Sequence, residues 1–284
     1  MEMRNGHTRI GVVAPATRIE PVIAEKITIL AQSLYPNLTP EIRFHPQCFF
    51  SSGHFAGDDD ARAHAFIEMA NDETLDAIWF ARGGYGSCRM AARAIEGLTD
   101  AARTKVFLGY SDTGALLAGL YARGFERIAH GPMPSDLARE GGNEAVRRAL
   151  AFLVDGDPES LEATISSSTR TAAFNITILG NILGTPLEPD LSGHVLMLEE
   201  VSEYIYAIDR SLFHITSTPS IRRVAGIRMG RCSAVPANDP DFGQNEEDVA
   251  KHWCQVSGIP YLGRADIGHD VDNKIVPFGR LRTK

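Results

Sequence analysis

The sequence predicts an α/β fold, with an N-terminal domain on a parallel sheet of the flavodoxin or Rossmann type and a smaller C-terminal α/β domain rich in strands. Three observations carry this. Strand and helix signals alternate through the first half of the chain, the pattern of a parallel sheet covered on both faces. Two polar turns, Ala81-Arg82-Gly83-Gly84-Tyr85-Gly86 and Gly109-Tyr110-Ser111-Asp112, each follow directly on a short apolar run. Active residues in such sheets gather beyond the carboxyl ends of the strands. A polar stretch then separates this half from a second set of strands and helices.

Ile10–Ala14 reads as a buried strand. Pro21–Leu34 reads as a helix, because Ile23, Ile27 and Leu30 fall near helical spacing. Asp58–Ala70 is a second helix, with Asp58, Asp59 and Asp60 in its first turn, where the helix dipole favours negative charge. A strand at 77–80, the glycine-rich turn, a helix at 87–96, a strand at 106–108 and a helix at 113–122 follow in order. Val146–Leu153 closes this half as a helix.

Asp155-Gly156-Asp157-Pro158 and Ser166-Ser167-Ser168-Thr169 read as exposed linker. The expected division is 1–155 for the N-terminal domain, 156–172 for the linker and 173–284 for the C-terminal domain. Strands are expected around 194–200 and 224–229, helices around 208–216 and 246–257, and a terminal strand over Lys274–Leu281. There is no internal repeat or low-complexity tract.

With 284 residues, burying a substantial core is not in question. The net charge of −8, with no basic block, argues against nucleic acid or an anionic membrane as partner. An anionic substrate therefore has to be held by local arginines. Cys48, Cys88, Cys232 and Cys254 have no CxxC spacing and read as free thiols. The histidines show no HExxH spacing and the cysteines are unclustered, so no metal is expected; no other cofactor is expected either. The start, Met1 to His7, lacks a signal peptide's apolar segment. No run approaches the ~18 apolar residues of a membrane span. A cytoplasmic, reducing location follows as the expectation.

A serine at the abrupt end of a strand, with a helix starting behind it, is held on a tight turn with its hydroxyl projecting from the sheet. Amide groups of the helix start point the same way, so Ser111 combines an attacking oxygen with donors for an oxyanion. Of the usual flanking glycines only Gly109 is present, since Thr113 takes the later position. The ordinary alternative is a Ser-Asp N-cap. The Arg82–Gly86 turn lacks the Lys-Ser/Thr of a phosphate-binding loop. It reads instead as part of an oxyanion hole, with the N–H of Asp112 as one donor and that of Gly84 as the other. Losing one such donor typically costs about 2.7–4 kcal/mol of barrier.

Serine needs a base. His64 and His252 lie in helical patterns and read as surface or satisfied core residues, whereas His269 sits in a loop between Gly268 and Asp270. A base needs an orienting carboxylate. Strand alternation puts Val195, Met197 and Glu199 on one face and Leu196, Leu198 and Glu200 on the other. A carboxylate at an apolar strand end is costly unless paired, so either glutamate qualifies, unless both mark the strand's exit into solvent.

In these motifs the chain resembles the LD-carboxypeptidase family, serine peptidases that remove the terminal D-alanine from peptidoglycan tetrapeptides. The resemblance runs almost end to end. It rests on Ile10–Ala16, Phe55-Ala56-Gly57-Asp58 with Arg62, the Arg82 turn and the Ser111 turn. His130-Gly131-Pro132-Met133, Leu183-Gly184-Thr185-Pro186, Leu196–Glu200, Ile208-Asp209-Arg210, Gly268-His269 and Pro277-Phe278-Gly279 continue it in order. It implies Ser111 as nucleophile, His269 as general base and Glu199 as orienting carboxylate, with Glu200 its more usual solvent-facing neighbour. It also implies a small peptide or muropeptide as partner and a homodimer as the assembly. Because the triad is split between the two domains, substrate is expected to enter between them.

Three segments depart from the family pattern: Thr113-Gly114, Phe174-Asn175-Ile176 and Ile205-Tyr206-Ala207. The last two lie near the expected substrate region, so they bear on substrate identity more than on catalysis. One alternative is the family's microcin immunity branch, which cleaves amides joining a peptidyl or aminoacyl group to a nucleotide moiety. Its members usually carry an insertion before the second-domain glutamate, and none is found here. The other is a non-catalytic small-ligand binder on the same scaffold.

Overall fold

The computed structural model describes residues 7–281; the leader reading at Met1–Gly6 lies outside them. The first sheet is built from β1 (Arg9–Val13), β2 (Glu41–Phe44), β3 (Ala77–Phe80), β4 (Val106–Gly109) and β5 (Ile128–His130). They pair in the order β2-β1-β3-β4-β5, all parallel. That is a doubly wound order of the flavodoxin type, with its switch point between β1 and β3. All four residues of β3 are buried, as a central parallel strand requires. β2 alternates exposed and half-buried residues at the sheet edge, and β5 has three residues. Neither offers the continuous apolar run that marks the other strands.

The helices of this half are α1 (Pro21–Leu34), α2 (Asp59–Asn71), α3 (Ser87–Glu96), α4 (Gly114–Ala122) and α5 (Gly142–Leu150). α5 starts four residues before the expected Val146 and ends in a wider turn over Ala151–Asp155. α4 is buried on every side from Gly114 to Leu120, because the second half of the chain packs over its outer face. That explains a helix apolar all round.

The second sheet contains β6 (Arg170–Asn175), β7 (His194–Val201), β8 (Gly226–Ser233) and β9 (Tyr261–Arg264), all parallel. β6 begins inside the stretch expected as linker. It is covered by α6 (Ile176–Ile182), α7 (Ile205–Ser217) and α8 (Glu246–Ser257). The tail forms two short strands instead of one. β10 (Val276–Pro277) pairs antiparallel with β5 in the first sheet, and β11 (Gly279–Arg280) pairs antiparallel with β6 in the second. Between them Phe278 is buried against Phe174 and Tyr121, with ring centroids 5.1 and 5.7 Å away. The chain end thus staples the sheets together. One hydrophobic core runs through both halves, from Phe66, Phe80 and Phe107 to Phe174, Leu198 and Met229. The four cysteines are free thiols, and among the described residues no helix is long and apolar enough to cross a membrane.

The loops at the carboxyl ends of the first sheet are tied together by Arg62, whose side chain has no exposed surface. Its Nη1 donates to the carbonyls of Pro15 and, at 2.7 Å, Gly86. Its Nη2 pairs with Asp59, and Phe55 lies 4.7 Å beneath the guanidinium. Removing a buried cation strands the groups it served. Arg62→Met is expected to lower stability by about 3 kcal/mol, read as a lower urea midpoint at unchanged slope.

Candidate active site

β4 ends at Gly109, and Tyr110 is still extended. Ser111 then turns to φ +59°, a left-handed conformation that costs a non-glycine residue about 1–2 kcal/mol. A short 3-10 turn, Ser111–Thr113, leads directly into α4. This abrupt reversal lifts the serine hydroxyl off the sheet.

Asp112 does not cap its own helix. Its carboxylate accepts from the backbone N–H groups of Ser87, at 2.8 Å, and Gly86, at 3.3 Å, at the start of α3. Ser87 Oγ donates back to the Asp112 carbonyl at 2.5 Å. The serine turn and the glycine-rich turn are therefore locked as one unit. Gly83 lies against the serine: a β-carbon there would sit 2.8 Å from both Cβ and Oγ of Ser111. The Gly83 carbonyl accepts from Thr17 N–H at 3.3 Å. In a trans peptide the next N–H points the opposite way, so that of Gly84 is turned away from Thr17. Gly84 itself has φ +108°, and a β-carbon on it would collide with Thr17 Oγ1 at 2.1 Å.

His269 lies in the loop between β9 and β10. The loop is braced by Gly268 N–H donating to Asn273 Oδ1 at 3.2 Å and by Arg231, which bonds both oxygens of Asp270 at 2.5 and 2.8 Å. His269 Nε2 is 2.9 Å from Ser111 Oγ, and its Nδ1 is 2.5 Å from Glu199 Oε2. A carboxylate only accepts, so Nδ1 carries the proton and Nε2 presents its lone pair to the serine. The Tyr110 ring packs on the imidazole with centroids 4.8 Å apart. Burial works against the imidazolium, but the charge and hydrogen bond of Glu199 outweigh it and raise the His269 pKa above its ordinary value.

The two glutamates do occupy opposite faces of β7. Met197 belongs to a small cluster with Ala173 and Ile267, whereas Leu196 and Leu198 join the main core. Neither glutamate marks an exit into solvent: Glu199 is 0% and Glu200 3% exposed. Glu200, expected to face solvent, has its carboxylate at the start of α6. It accepts from Thr177 N–H at 2.9 Å, Thr177 Oγ1 at 2.7 Å and Asn175 Nδ2 at 2.5 Å. Burial raises its pKa against those bonds. His64 and His252 are exposed. Among the described residues no group of three or more His, Cys, Asp or Glu is placed to hold a metal ion.

Sequence reasoning did not single out Tyr110, His130, Asp136 or Arg139. The Tyr110 hydroxyl donates to Asp136 Oδ1 at 2.7 Å, and Arg139 reaches Asp136, Tyr110 and the His269 carbonyl. His130 is fully buried beside the Tyr110 ring, 5.5 Å between centroids. Tyr110 and His130 stand inside motifs that were read, but their roles depend on strand pairing that no local pattern displays.

Two outcomes follow from this geometry. Gly83→Ala forces a methyl onto Ser111. The rate at which a fluorophosphonate labels Ser111 should fall by about a hundredfold, and the melting temperature should fall with it, because the Ser111 β-carbon has to move. Burial holds the His130 pKa down to about 4, from 6.5. As pH falls through 6.5 the unfolded chain takes up this proton first, so stability is lost between 6.5 and about 4. His130→Gln should flatten that part of the urea-unfolding profile; an equally steep profile would show that His130 does not contribute.

The chain matches the LD-carboxypeptidase N-terminal domain over residues 10–131 and the LD-carboxypeptidase C-terminal domain over residues 169–283. It is 31% identical to a Synechocystis protein assigned as a carboxypeptidase, over 80% of this chain and 75% of that one. It is 23% identical to the murein tetrapeptide carboxypeptidase of Pseudomonas aeruginosa, over 96% of this chain and 91% of the relative. In fold it is similar to the crystal structure of muramoyltetrapeptide carboxypeptidase from Oxalobacter formigenes. That likeness has a TM-score of 0.79 at 22% identity and covers 96% and 95% of the two chains. The microcin C7 self-immunity protein MccF has a similar fold, with a TM-score of 0.78 at 18% identity over 96% and 91%. With both domain models matched in order over most of its length, the chain belongs to the LD-carboxypeptidase family.

Proposed function

We propose that the chain is a serine LD-carboxypeptidase that releases terminal D-alanine from peptidoglycan-derived tetrapeptides, with Ser111, His269 and Glu199 as its triad. The observation that carries this reading is the continuous line from Ser111 Oγ through the imidazole to Glu199, at 2.9 and 2.5 Å. Family membership supports the substrate class, as does the relative named murein tetrapeptide carboxypeptidase.

In this reading Ser111 Oγ attacks the carbonyl that joins diaminopimelate to D-alanine, and its proton passes to His269 Nε2. The carbonyl oxygen becomes an oxyanion held by the N–H groups of Asp112 and Gly84. His269 then protonates the departing D-alanine amine, leaving an acyl-enzyme on Ser111. Water, deprotonated by His269, attacks that ester and frees the shortened peptide and the serine hydroxyl. The Glu199 carboxylate stabilises the imidazolium. The likeness to MccF is one of fold and leaves the peptide substrate the better supported reading.

The test is to incubate the protein with muropeptide tetrapeptide and follow free D-alanine by mass. Release by the wild type but not by Ser111→Ala is expected. No release, or release that survives Ser111→Ala, counts against the proposal. The two glutamates separate in the same assay. Glu199→Gln should lower kcat by about a hundredfold or more. Glu200→Gln removes an anion from the start of α6 and should chiefly lower the melting temperature.

A further inference from the structure

Nucleophile and base stand 158 residues apart in sequence, and a hydrogen bond of 2.9 Å between them tolerates little relative movement of their loops. Arg139, just beyond the short turn Pro134–Ala138, spans both. Each of its three guanidinium nitrogens has a different partner. Nη1 donates to the His269 carbonyl, Nη2 donates to Tyr110 Oη at 3.3 Å, and Nε pairs with Asp136 Oδ1 at 3.2 Å. Asp136 is 2% exposed. It also accepts from Tyr110 Oη at 2.7 Å and from Met133 N–H at 2.8 Å, so the anchor is fixed on both oxygens. Tyr110 immediately precedes Ser111 in the chain.

We propose that Arg139 is a positioning residue that clamps the His269 loop to the Ser111 turn and so sets the distance between base and nucleophile. This rests on the serine-peptidase reading above and adds a residue to it. The planar fork suits the task, because two hydrogen bonds and an ion pair leave it in fixed directions at once; a lysine ammonium on a flexible stem does not reproduce them. The clamp also places a positive charge beside the base. The charged and titratable groups around His269 are Glu199 on β7, Asp136 and Arg139 at the 134–139 turn, Tyr110 before the nucleophile, His130 on β5, and the Asp270–Arg231 pair. Among these, Arg139 disfavours the imidazolium and Glu199 and Asp136 favour it. Removing the arginine charge therefore stabilises protonated His269 and moves the onset of reactivity to higher pH.

The test follows the rate of Ser111 labelling by a fluorophosphonate across pH, with a thermal melt for each protein. Arg139→Met should lower the alkaline plateau by about tenfold or more and shift the acidic midpoint upward. Arg139→Lys keeps the charge, so its midpoint should stay near that of the wild type while the plateau recovers only in part. If Arg139→Met fails to fold, the lysine variant alone decides: a plateau equal to wild type overturns the clamp. A methionine variant within about twofold of the wild-type plateau also overturns it. So does a slowed variant with an unmoved midpoint that lysine fully restores, since that is support of the fold alone. A wild type that the reagent does not label overturns the serine-peptidase reading itself, and the proposal with it, before any variant is made.

Discussion

Glu199 has no exposed surface, and a carboxylate so placed costs several kcal/mol unless a strong donor meets it. The donor is His269 Nδ1, at 2.5 Å. This contact fixes which imidazole nitrogen holds the proton, and so which one faces Ser111. Most of the surrounding construction keeps it in place. The Arg231–Asp270 pair and the Gly268–Asn273 bond brace the His269 loop from the side of the second sheet. Arg139 holds the same loop from the side of the first. Glu199 Oε1 finds no hydrogen-bond partner among the described residues, so the carboxylate depends the more heavily on the imidazole.

The site lies across two sheets, and the fold answers the resulting need for rigidity in several ways. α4 is buried between the halves, one core extends through both, and β10 and β11 pair with different sheets. Strain is accepted locally at the left-handed Ser111. It persists because Asp112 anchors the turn to α3, and Gly83, having no side chain, leaves the serine its place. The left-handed turn costs stability and in return aims a hydroxyl.

What the sequence made legible was local. The bounds expected for Pro21–Leu34, Ala77–Phe80, Ser87–Glu96 and Glu246–Ser257 coincide with those observed, because each is a self-contained pattern with clear ends. β2, β5, β9 and the seven-residue α6 went unread, being short or at sheet edges. The strand-turn-helix around Ser111 was readable for the same reason: all its elements lie within a few residues. Alternation along β7 separated the faces of Glu199 and Glu200, but it could not show that both are buried. For Glu200 that follows from α6 docking its first turn on it, and for Glu199 from the close approach of Gly230 and the His269 loop. For His269 the residues alone gave only an unconstrained loop histidine, and the family resemblance carried the rest. Arg139 left no sequence signal, since its three partners come together only when the sheets pack.

A buried Nδ1–H···carboxylate bond joins His269 to Glu199. Proton NMR reads it directly, because a proton shared between imidazole and carboxylate in a dry site resonates far downfield of the amide envelope. Such a line is expected in the wild-type protein and in Glu200→Gln, and its loss in Glu199→Gln and His269→Gln. A downfield line that survives Glu199→Gln, or disappears in Glu200→Gln while the protein remains folded, would contradict it.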